Sequence, residues 1–173
     1  TTTSSAVAAA LLGKSPAEVT GRGAGLSDAG LTRKIAAVRR ALDVNRPDPA
    51  DPIDVLGKVG GLDIAGLCGV FLGGALYRVP VLIDGFISGT AALCAARLCP
   101  GAQFSMLASH VSAEPAGRLV LDALGLQPLL SAGMRLGEGS GAVAALPLLD
   151  MALAVYQSGQ TFGRLGIDAY TPQ

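Results

Sequence analysis

One glutamate stands in a glycine-rich segment whose composition suits proton transfer. Residues 137–141 read Gly-Glu-Gly-Ser-Gly, and an apolar run, 142–146, follows them. Glycine lacks a Cβ, so backbone and ligand can approach each other closely in such a loop. The following segment is predicted to be a buried helix whose free N–H groups point back at the loop. Apolar neighbours would keep the Glu138 carboxylate out of water, which suits a general base; the alternative is a glycine-rich connector whose glutamate faces water.

Two further polar loops follow predicted strands. The run 79–83 is short, apolar and rich in β-branched residues, which predicts a buried parallel strand that ends at Asp84. The run 102–108 predicts a second strand, which ends in the polar segment 109–114. Because open α/β sheets place ligands at the carboxyl ends of their strands, we expect these two loops and the Glu138 loop at one edge. Their hydroxyls, glycines and carboxylates would suit a phosphorylated sugar and a ring that must lose a proton.

Several common catalytic and metal-binding patterns are missing from the sequence. There is no GxSxG elbow, Walker A motif or GxGxxG loop, and the adjacent Ser109 and His110 side chains are expected to diverge at a strand end. His110 is the only histidine, which excludes a multi-histidine metal site. The cysteines at 68, 94 and 99 show no ligand spacing and predict buried free thiols in a reducing cytosol. We therefore predict neither a metal nor a cofactor.

The composition favours one domain without a nucleic-acid or membrane partner. Half of the 173 residues are hydrophobic, and 13 basic residues balance 13 acidic ones, so no charged surface for nucleic acid or an anionic membrane is expected. The longest uncharged apolar stretch, 66–76, is too short to span a bilayer. The Thr/Ser-rich start lacks the pattern of a signal peptide. Because the first residue is not Met, we expect a start within a longer protein, after processing or at an engineered end.

The predicted elements alternate strands with helices. Such alternation predicts parallel βαβ units, and therefore an α/β fold in three layers with a mostly parallel, Rossmann-like sheet between helices. Two strands, with 126–130 as a third short strand or an edge segment, are few for such a sheet, so the single domain 1–173 is interpreted as incomplete. Helices are predicted at 4–12, 16–19, 27–42, 54–59, 62–76, 88–98, 116–124 and 141–158.

Five segments, in order along the chain, carry a resemblance to one protein family. The sequence resembles the nicotinate-nucleotide:5,6-dimethylbenzimidazole phosphoribosyltransferases of cobalamin synthesis from Thr1 to about Phe162. Family members are about twice as long, so the resemblance implies that this chain corresponds to the C-terminal half of a larger domain. The segments are 21–26, 54–61, 82–88, 108–115 and 134–142.

The resemblance implies an activity and its small-molecule partners. Family members transfer phosphoribosyl from nicotinate mononucleotide to 5,6-dimethylbenzimidazole, with inversion at the anomeric carbon. The products are nicotinate and α-ribazole 5′-phosphate, a precursor of the lower ligand of cobalamin. Glu138 would be the general base that takes the proton from the incoming ring nitrogen. The resemblance further implies a cytoplasmic homodimer that needs no cofactor.

The resemblance also assigns substrate contacts, each of which has a structural alternative. Lys34 and Ser112 match family residues near the nucleotide phosphate; the alternatives are an exposed helix lysine and a loop-capping hydroxyl. Leu136 would line the flat pocket of the base, and the alternative is an ordinary core residue. Gly137 and Gly139 would let the backbone approach the substrate on either side of Glu138.

Four other residues of the matching segments have weaker assignments. Gly60 and Gly61 could offer N–H groups to an anion, or could only allow tight packing. Asp84, at a strand end, could steady either the ribose or the loop. Glu114 is interpreted as a helix-start residue that completes a cap with Ser112, rather than as a second catalytic acid.

Two alternatives to a transferase remain open from the sequence. One is a nucleotide- or base-binding module that kept the fold and lost the chemistry. The other is an interaction protein, or a partial chain, whose exposed sheet edge needs another chain. An intact Glu138 loop favours the transferase.

Overall fold

The structure is a computed structural model, and it describes residues 1–168 and 171. Helices make up most of it, around a small parallel sheet. The strands are β1 (Val81–Ile83) and β2 (Met106–Ala108), and a 3-10 helix covers Pro100–Ser105. The helices are α1 (Thr2–Leu12), α2 (Pro16–Val19), α3 (Asp28–Asn45), α4 (Pro52–Val59), α5 (Leu62–Tyr77), α6 (Phe86–Leu98), α7 (Pro115–Ala123), α8 (Ser140–Gln157) and α9 (Phe162–Leu165).

The two strands run parallel and end at the same edge. Val81 pairs with Met106, and Ile83 pairs with Ala108. Beyond β2, His110 and Leu130 form an isolated parallel bridge, so the chain near residue 130 continues the sheet on that side. The predicted α/β class is confirmed, and the segment 126–130 contributes an edge rather than a full strand.

Both strands are shorter than the sequence predicts. In the run 102–108, only the last three residues are strand, because Pro100 has no N–H and its fixed φ starts a 3-10 turn instead. The Ser105 hydroxyl, which donates to the carbonyl of Ala102 at 3.1 Å, closes that turn. In the run 79–83, the N–H of Val79 is used by the end of α5, where it donates to Gly74 O at 2.8 Å.

Helix boundaries follow the capping residues closely. Ser27 caps α3 by accepting from the N–H of Gly30 at 3.2 Å, and Gly13 ends α1 in the left-handed conformation. α3 runs three residues beyond its predicted end, because Arg46 rather than Leu42 adopts the left-handed terminal conformation. α6 starts two residues early, at Phe86, after a turn in which the Ser88 hydroxyl accepts from the N–H of Gly85 at 3.1 Å.

The core is made of small residues on α1 and α6 and larger ones on their neighbours. Ala91, Ala92 and Ala95 of α6 are buried and permit close approach of α5 and α7, while Phe71 and Ile64 of α5 are fully buried. Cys68 and Cys94 are buried free thiols, as predicted, and burial raises the pKa of Cys94 to about 12. Cys99 is exposed, contrary to the prediction, because it lies at the end of α6 before the 3-10 helix.

The helix that follows the glycine-rich loop is not buried. In α8 only Gly141 and Ala145 are buried, so the prediction of a buried helix is wrong; little of the described chain packs on its outer face. By length and composition alone α8 could span a membrane, with a mean hydropathy of 1.3, a test that core helices of soluble proteins also pass. The predicted absence of a membrane partner therefore stays a prediction.

Candidate active site

The three loops singled out in the sequence line one cavity of about 420 Å³. Their convergence is the central prediction about the site, and the structure confirms it. For two of the loops it follows from the parallel pairing of β1 and β2, whose carboxyl ends meet at the same edge. The Glu138 loop is brought there by the bridge between Leu130 and His110 and by the hydrogen bonds from the start of α8 to Asp84. From these loops, the lining residues are Asp84, Gly85, Ser88, His110, Ser112, Glu114, Leu136, Gly137 and Glu138.

Glu138 occupies a left-handed backbone conformation between two left-handed glycines. The φ angles are 76° at Gly137, 56° at Glu138 and 77° at Gly139. This conformation destabilises a residue that has a Cβ by roughly 1–2 kcal/mol, whereas it hardly destabilises glycine. A strained residue on the wall of a cavity points to a functional role for its side chain.

The Glu138 carboxylate lines the cavity but is exposed to water. The prediction that apolar neighbours withdraw it from water is therefore wrong for this chain, because the flanking Leu136 and α8 are themselves largely exposed. Within residues 1–168, Glu138 forms no ion pair, so no cation neutralises the carboxylate.

We expect Glu138→Gly to raise the free energy of unfolding by about 1 kcal/mol, because it removes the left-handed strain. Part of that gain is offset by the backbone entropy of glycine. The measurement is urea unfolding. Arg78→Gly is the matched control, since exposed Arg78 ends α5 with a φ of 56° and lines none of the described cavities. A loss of stability in Glu138→Gly beside a gain in Arg78→Gly would contradict the strain argument.

Asp84 is bonded to the start of α8. Its Oδ1 accepts from the N–H groups of Gly141, at 2.8 Å, and Ala142, at 3.1 Å. Of the two roles left open by the sequence, contact with the loop therefore has direct geometric support, while contact with a ribose stays a prediction.

A buried serine–histidine pair lies beneath the same helix start. The Ser109 hydroxyl donates to Ile83 O at 2.6 Å, and its oxygen lies 3.3 Å from Nδ1 of His110. The predicted divergence of these two side chains is wrong, because both point inward. Gly141 packs on the imidazole so closely that a Cβ there would lie 1.9 Å from His110 Nδ1. Since Asp84 is occupied by α8, the three residues do not form a hydrolase triad.

Lys34 is buried, with only 8% of its surface exposed, so the alternative of an exposed helix lysine is wrong. Its ammonium donates to Gly21 O at 2.8 Å and to the Thr1 hydroxyl at 2.9 Å. Burial lowers the pKa of Lys34, and the negative charge of Glu114 opposes that effect. Lys34 lines a second cavity of about 440 Å³, which shares Thr1, Gly23 and Ala24 with the 420 Å³ cavity.

Glu114 begins α7, as predicted, but its carboxylate does not cap that helix. Oε1 accepts from the N–H of Gly23 at 2.8 Å, and Oε2 is buried without a hydrogen-bond partner. The carboxylate thus ties the loop 21–25 to the start of α7. The backbone N–H of Glu114 donates to the Ser112 hydroxyl at 3.3 Å, so this hydroxyl caps the loop as the structural alternative predicts. Ser112 also lines the 420 Å³ cavity.

Leu136 lines the cavity, whereas the two glycines before α5 do not. Leu136 is 78% exposed, which rules out the core alternative, and it lines the 420 Å³ cavity together with a third cavity of about 640 Å³. Gly60 and Gly61 line none of these three cavities. A Cβ at Gly60 would lie 2.6 Å from Leu56 O, which supports the tight-packing alternative there.

Two residues of the cavity wall, Arg135 and Thr1, were not predicted from the sequence. Arg135 lines both the 420 Å³ and the 640 Å³ cavities, and its position three residues before Glu138 was the available signal. Thr1 accepts the hydrogen bond from Lys34 and lines the 420 Å³ cavity. Within the part of the chain that the structure describes, no group of three or more His, Cys, Asp or Glu side chains could hold a metal ion.

Comparison with known proteins gives the class to which this fold and site belong. A family model described as phosphoribosyltransferase, DBI_PRT, matches residues 1–167. The chain belongs to this phosphoribosyltransferase family.

Individual relatives carry a more specific name. The chain is 53% identical over 172 residues to the nicotinate-nucleotide–dimethylbenzimidazole phosphoribosyltransferase of Ruminiclostridium cellulolyticum, with 99% of this chain and 49% of that protein covered. It is 55% identical over 167 residues to the protein of the same name from Chloroflexus aggregans, with 96% and 47% covered. Among solved structures, CobT from Thermus thermophilus is similar with a TM-score of 0.89 and 41% identity, over 98% of this chain and 50% of that one.

The chain spans about half the length of the curated relatives it matches. The matched region contains the whole cavity described above.

Proposed function

We propose that the protein transfers phosphoribosyl from nicotinate mononucleotide to 5,6-dimethylbenzimidazole and releases nicotinate and α-ribazole 5′-phosphate. The observation that carries this proposal is the strained Glu138 on the wall of a cavity built from the three predicted loops. The names of relatives at about half identity support the choice of substrates. The cavity of about 420 Å³ lies within the size range of small-molecule sites, roughly 300–1,000 Å³.

In the proposed reaction one C–N bond forms, another breaks, and Glu138 accepts the proton that is released. One ring nitrogen of the benzimidazole attacks C1′ of the ribose, on the face opposite to the nicotinate. The C1′–N bond to nicotinate breaks, and its electron pair neutralises the pyridinium nitrogen of the leaving group. The N–H proton at the other ring nitrogen of the benzimidazole passes to the Glu138 carboxylate. Because Glu138 is paired with no cation among the described residues, its carboxylate is free to accept that proton.

The proposed substrate contacts divide between phosphate and base. Lys34 and Ser112 bind the phosphate, in line with the buried ammonium of Lys34 beside the second cavity. Leu136 packs against the benzimidazole, and Gly137 and Gly139 let the ring approach the backbone. Gly60 and Gly61 have at most a minor role through their N–H groups, because these two glycines line none of the described cavities.

The remaining parts of the proposal concern assembly and location. We propose that the chain is part of a larger cytoplasmic domain that forms a homodimer. The exposed apolar side chains of α8 support this proposal, because such a surface is typically covered by the rest of a protein or by a second copy. They include Val143, Leu146, Met151, Leu153, Val155 and Tyr156.

The direct test supplies nicotinate mononucleotide and dimethylbenzimidazole and follows both products by mass spectrometry. We expect α-ribazole 5′-phosphate and nicotinate to appear in equal amounts. The chain is assayed alone and mixed with the N-terminal half of the Ruminiclostridium cellulolyticum relative, since this chain covers 49% of that protein. Binding of the nucleotide without any product in either sample would contradict the transferase and favour a binding module.

A further inference from the structure

We propose that Asp84 is the positioning residue for the Glu138 loop, which it fastens to the sheet through the first turn of α8. This inference rests on the proposed function. Asp84 follows β1 directly, and its Oδ1 accepts from Gly141 N at 2.8 Å and Ala142 N at 3.1 Å. A residue from the sheet thereby caps a helix that starts more than fifty positions further along the chain.

The start of α8 has no cap of its own. Its N-cap residue is Gly139, which has no side chain to accept a hydrogen bond, and the Ser140 hydroxyl is buried without a partner. The first N–H groups of a helix need acceptors from outside the helix, and a carboxylate is the strongest one because it also interacts favourably with the helix dipole. Asp84 supplies both effects two residues beyond the left-handed turn that contains Glu138.

The Glu138 turn has one hydrogen bond of its own, from Ser140 N to Gly137 O at 3.0 Å, and few contacts hold the helix that follows it. Along α8 only Gly141 and Ala145 are buried, and Gly141 is the point at which the helix rests on the His110 ring. The strained conformation of Glu138 persists only when its surroundings fix it. Asp84 fixes the residues on one side of Glu138, and a hydrogen bond from Ala113 N to Met134 O, at 3.0 Å, fixes the other side.

The experiment compares Asp84→Ala with Asp84→Asn. Asparagine keeps the Oδ1 acceptor and loses the charge, whereas alanine loses both. A misplacement of about 1 Å in a catalytic group can cost roughly 100-fold, so we expect Asp84→Ala to lower kcat by about 10- to 100-fold. The KM for nicotinate mononucleotide should stay within about twofold, because the change acts on the base and not on phosphate binding. Asp84→Asn should retain most of kcat.

A matched control exists on α4. Asp51 also accepts two backbone N–H groups at a helix start, from Ile53 at 2.9 Å and Asp54 at 3.3 Å, and lines none of the cavities described above. Asp51→Ala removes the same kind of cap and should leave kcat unchanged. A direct readout is hydrogen exchange at the amides of Gly141 and Ala142, which should accelerate in Asp84→Ala and stay slow in Asp84→Asn.

Each result decides the proposal. A kcat for Asp84→Asn as low as that for Asp84→Ala, with amide exchange at Gly141 and Ala142 still slow, would mean that the charge acts on the substrate and would overturn a positioning role. Unchanged kcat or unchanged amide exchange in Asp84→Ala would also overturn it. If the unmodified protein makes no product, the proposed function fails, while the exchange rates at Gly141 and Ala142 still test whether Asp84 fastens α8.

Discussion

Glu138→Gln should lower turnover by at least about 100-fold and leave nucleotide binding unchanged, since loss of a general base has an effect of this size. Glutamine has the same shape and also has a Cβ, so the left-handed backbone strain at φ 56° stays the same. What changes is that the side chain can no longer accept a proton. The measurements are initial rates at saturating concentrations of both substrates and calorimetric titration with nicotinate mononucleotide.

Glu18→Gln is the control for the chemical change. Glu18 is an exposed glutamate on α2 that accepts hydrogen bonds from Ser15 and lies 3.5 Å from Lys14, away from every described cavity lining. The turnover rate of Glu18→Gln should equal that of the unmodified protein. Equal rates for Glu138→Gln and the unmodified protein would remove Glu138 as the base and would mean that another group accepts the proton.

Lys34→Met should weaken nucleotide binding by about 10- to 100-fold. A hydrogen bond to a charged group contributes about 1.5–3 kcal/mol, which corresponds to that range of affinity. Methionine fills a similar volume but removes the ammonium that now donates to Gly21 O and Thr1. The measurement is titration with nicotinate mononucleotide, with the free base as a second ligand whose affinity should not change.

Lys14→Met controls for the loss of one positive charge. The Lys14 side chain is 42% exposed and pairs with Glu18, so its removal should leave nucleotide affinity unchanged. An equal loss of affinity in both variants would indicate a general charge effect rather than a contact at Lys34.

The buried lysine also gives an independent signal in stability. Burial holds the pKa of Lys34 below its usual value, so between that lowered pKa and the unfolded value of about 10.4 the unfolded chain binds more protons. The free energy of unfolding should therefore gain a contribution that increases with pH in this window, and Lys34→Met should lack it. Urea unfolding at several pH values measures the difference.

The sequence predicted local structure and the meeting of the loops. The β-branched run before Asp84 identified β1, Ser27 identified the start of α3, and Gly13 identified the end of α1. The convergence of the loops after β1 and β2 then required only the rule that parallel strands end at one edge. Most errors at this level concerned lengths, as where Pro100 converted most of a predicted strand into a 3-10 helix, and the short helix α9 was not predicted.

What a side chain contacts over a long separation could not be predicted. The burial of Lys34 depends on the carbonyl of Gly21 and the hydroxyl of Thr1, and the hydrogen bonds of Asp84 depend on where α8 begins. Helical periodicity predicts neither the burial of Lys34 nor the hydrogen bonds of Asp84, because that pattern reports only neighbours within one or two turns.

By itself, then, the sequence determined the types and order of most elements, the edge at which the polar loops collect, and the glutamate of the glycine-rich loop. The tertiary structure alone decided that Glu138 is exposed and strained, that α8 has an open face, and that Asp84 caps it. The physical reason is that hydrogen-bonding propensities and turn preferences act between near neighbours, whereas burial and capping across the fold depend on which surfaces finally pack together.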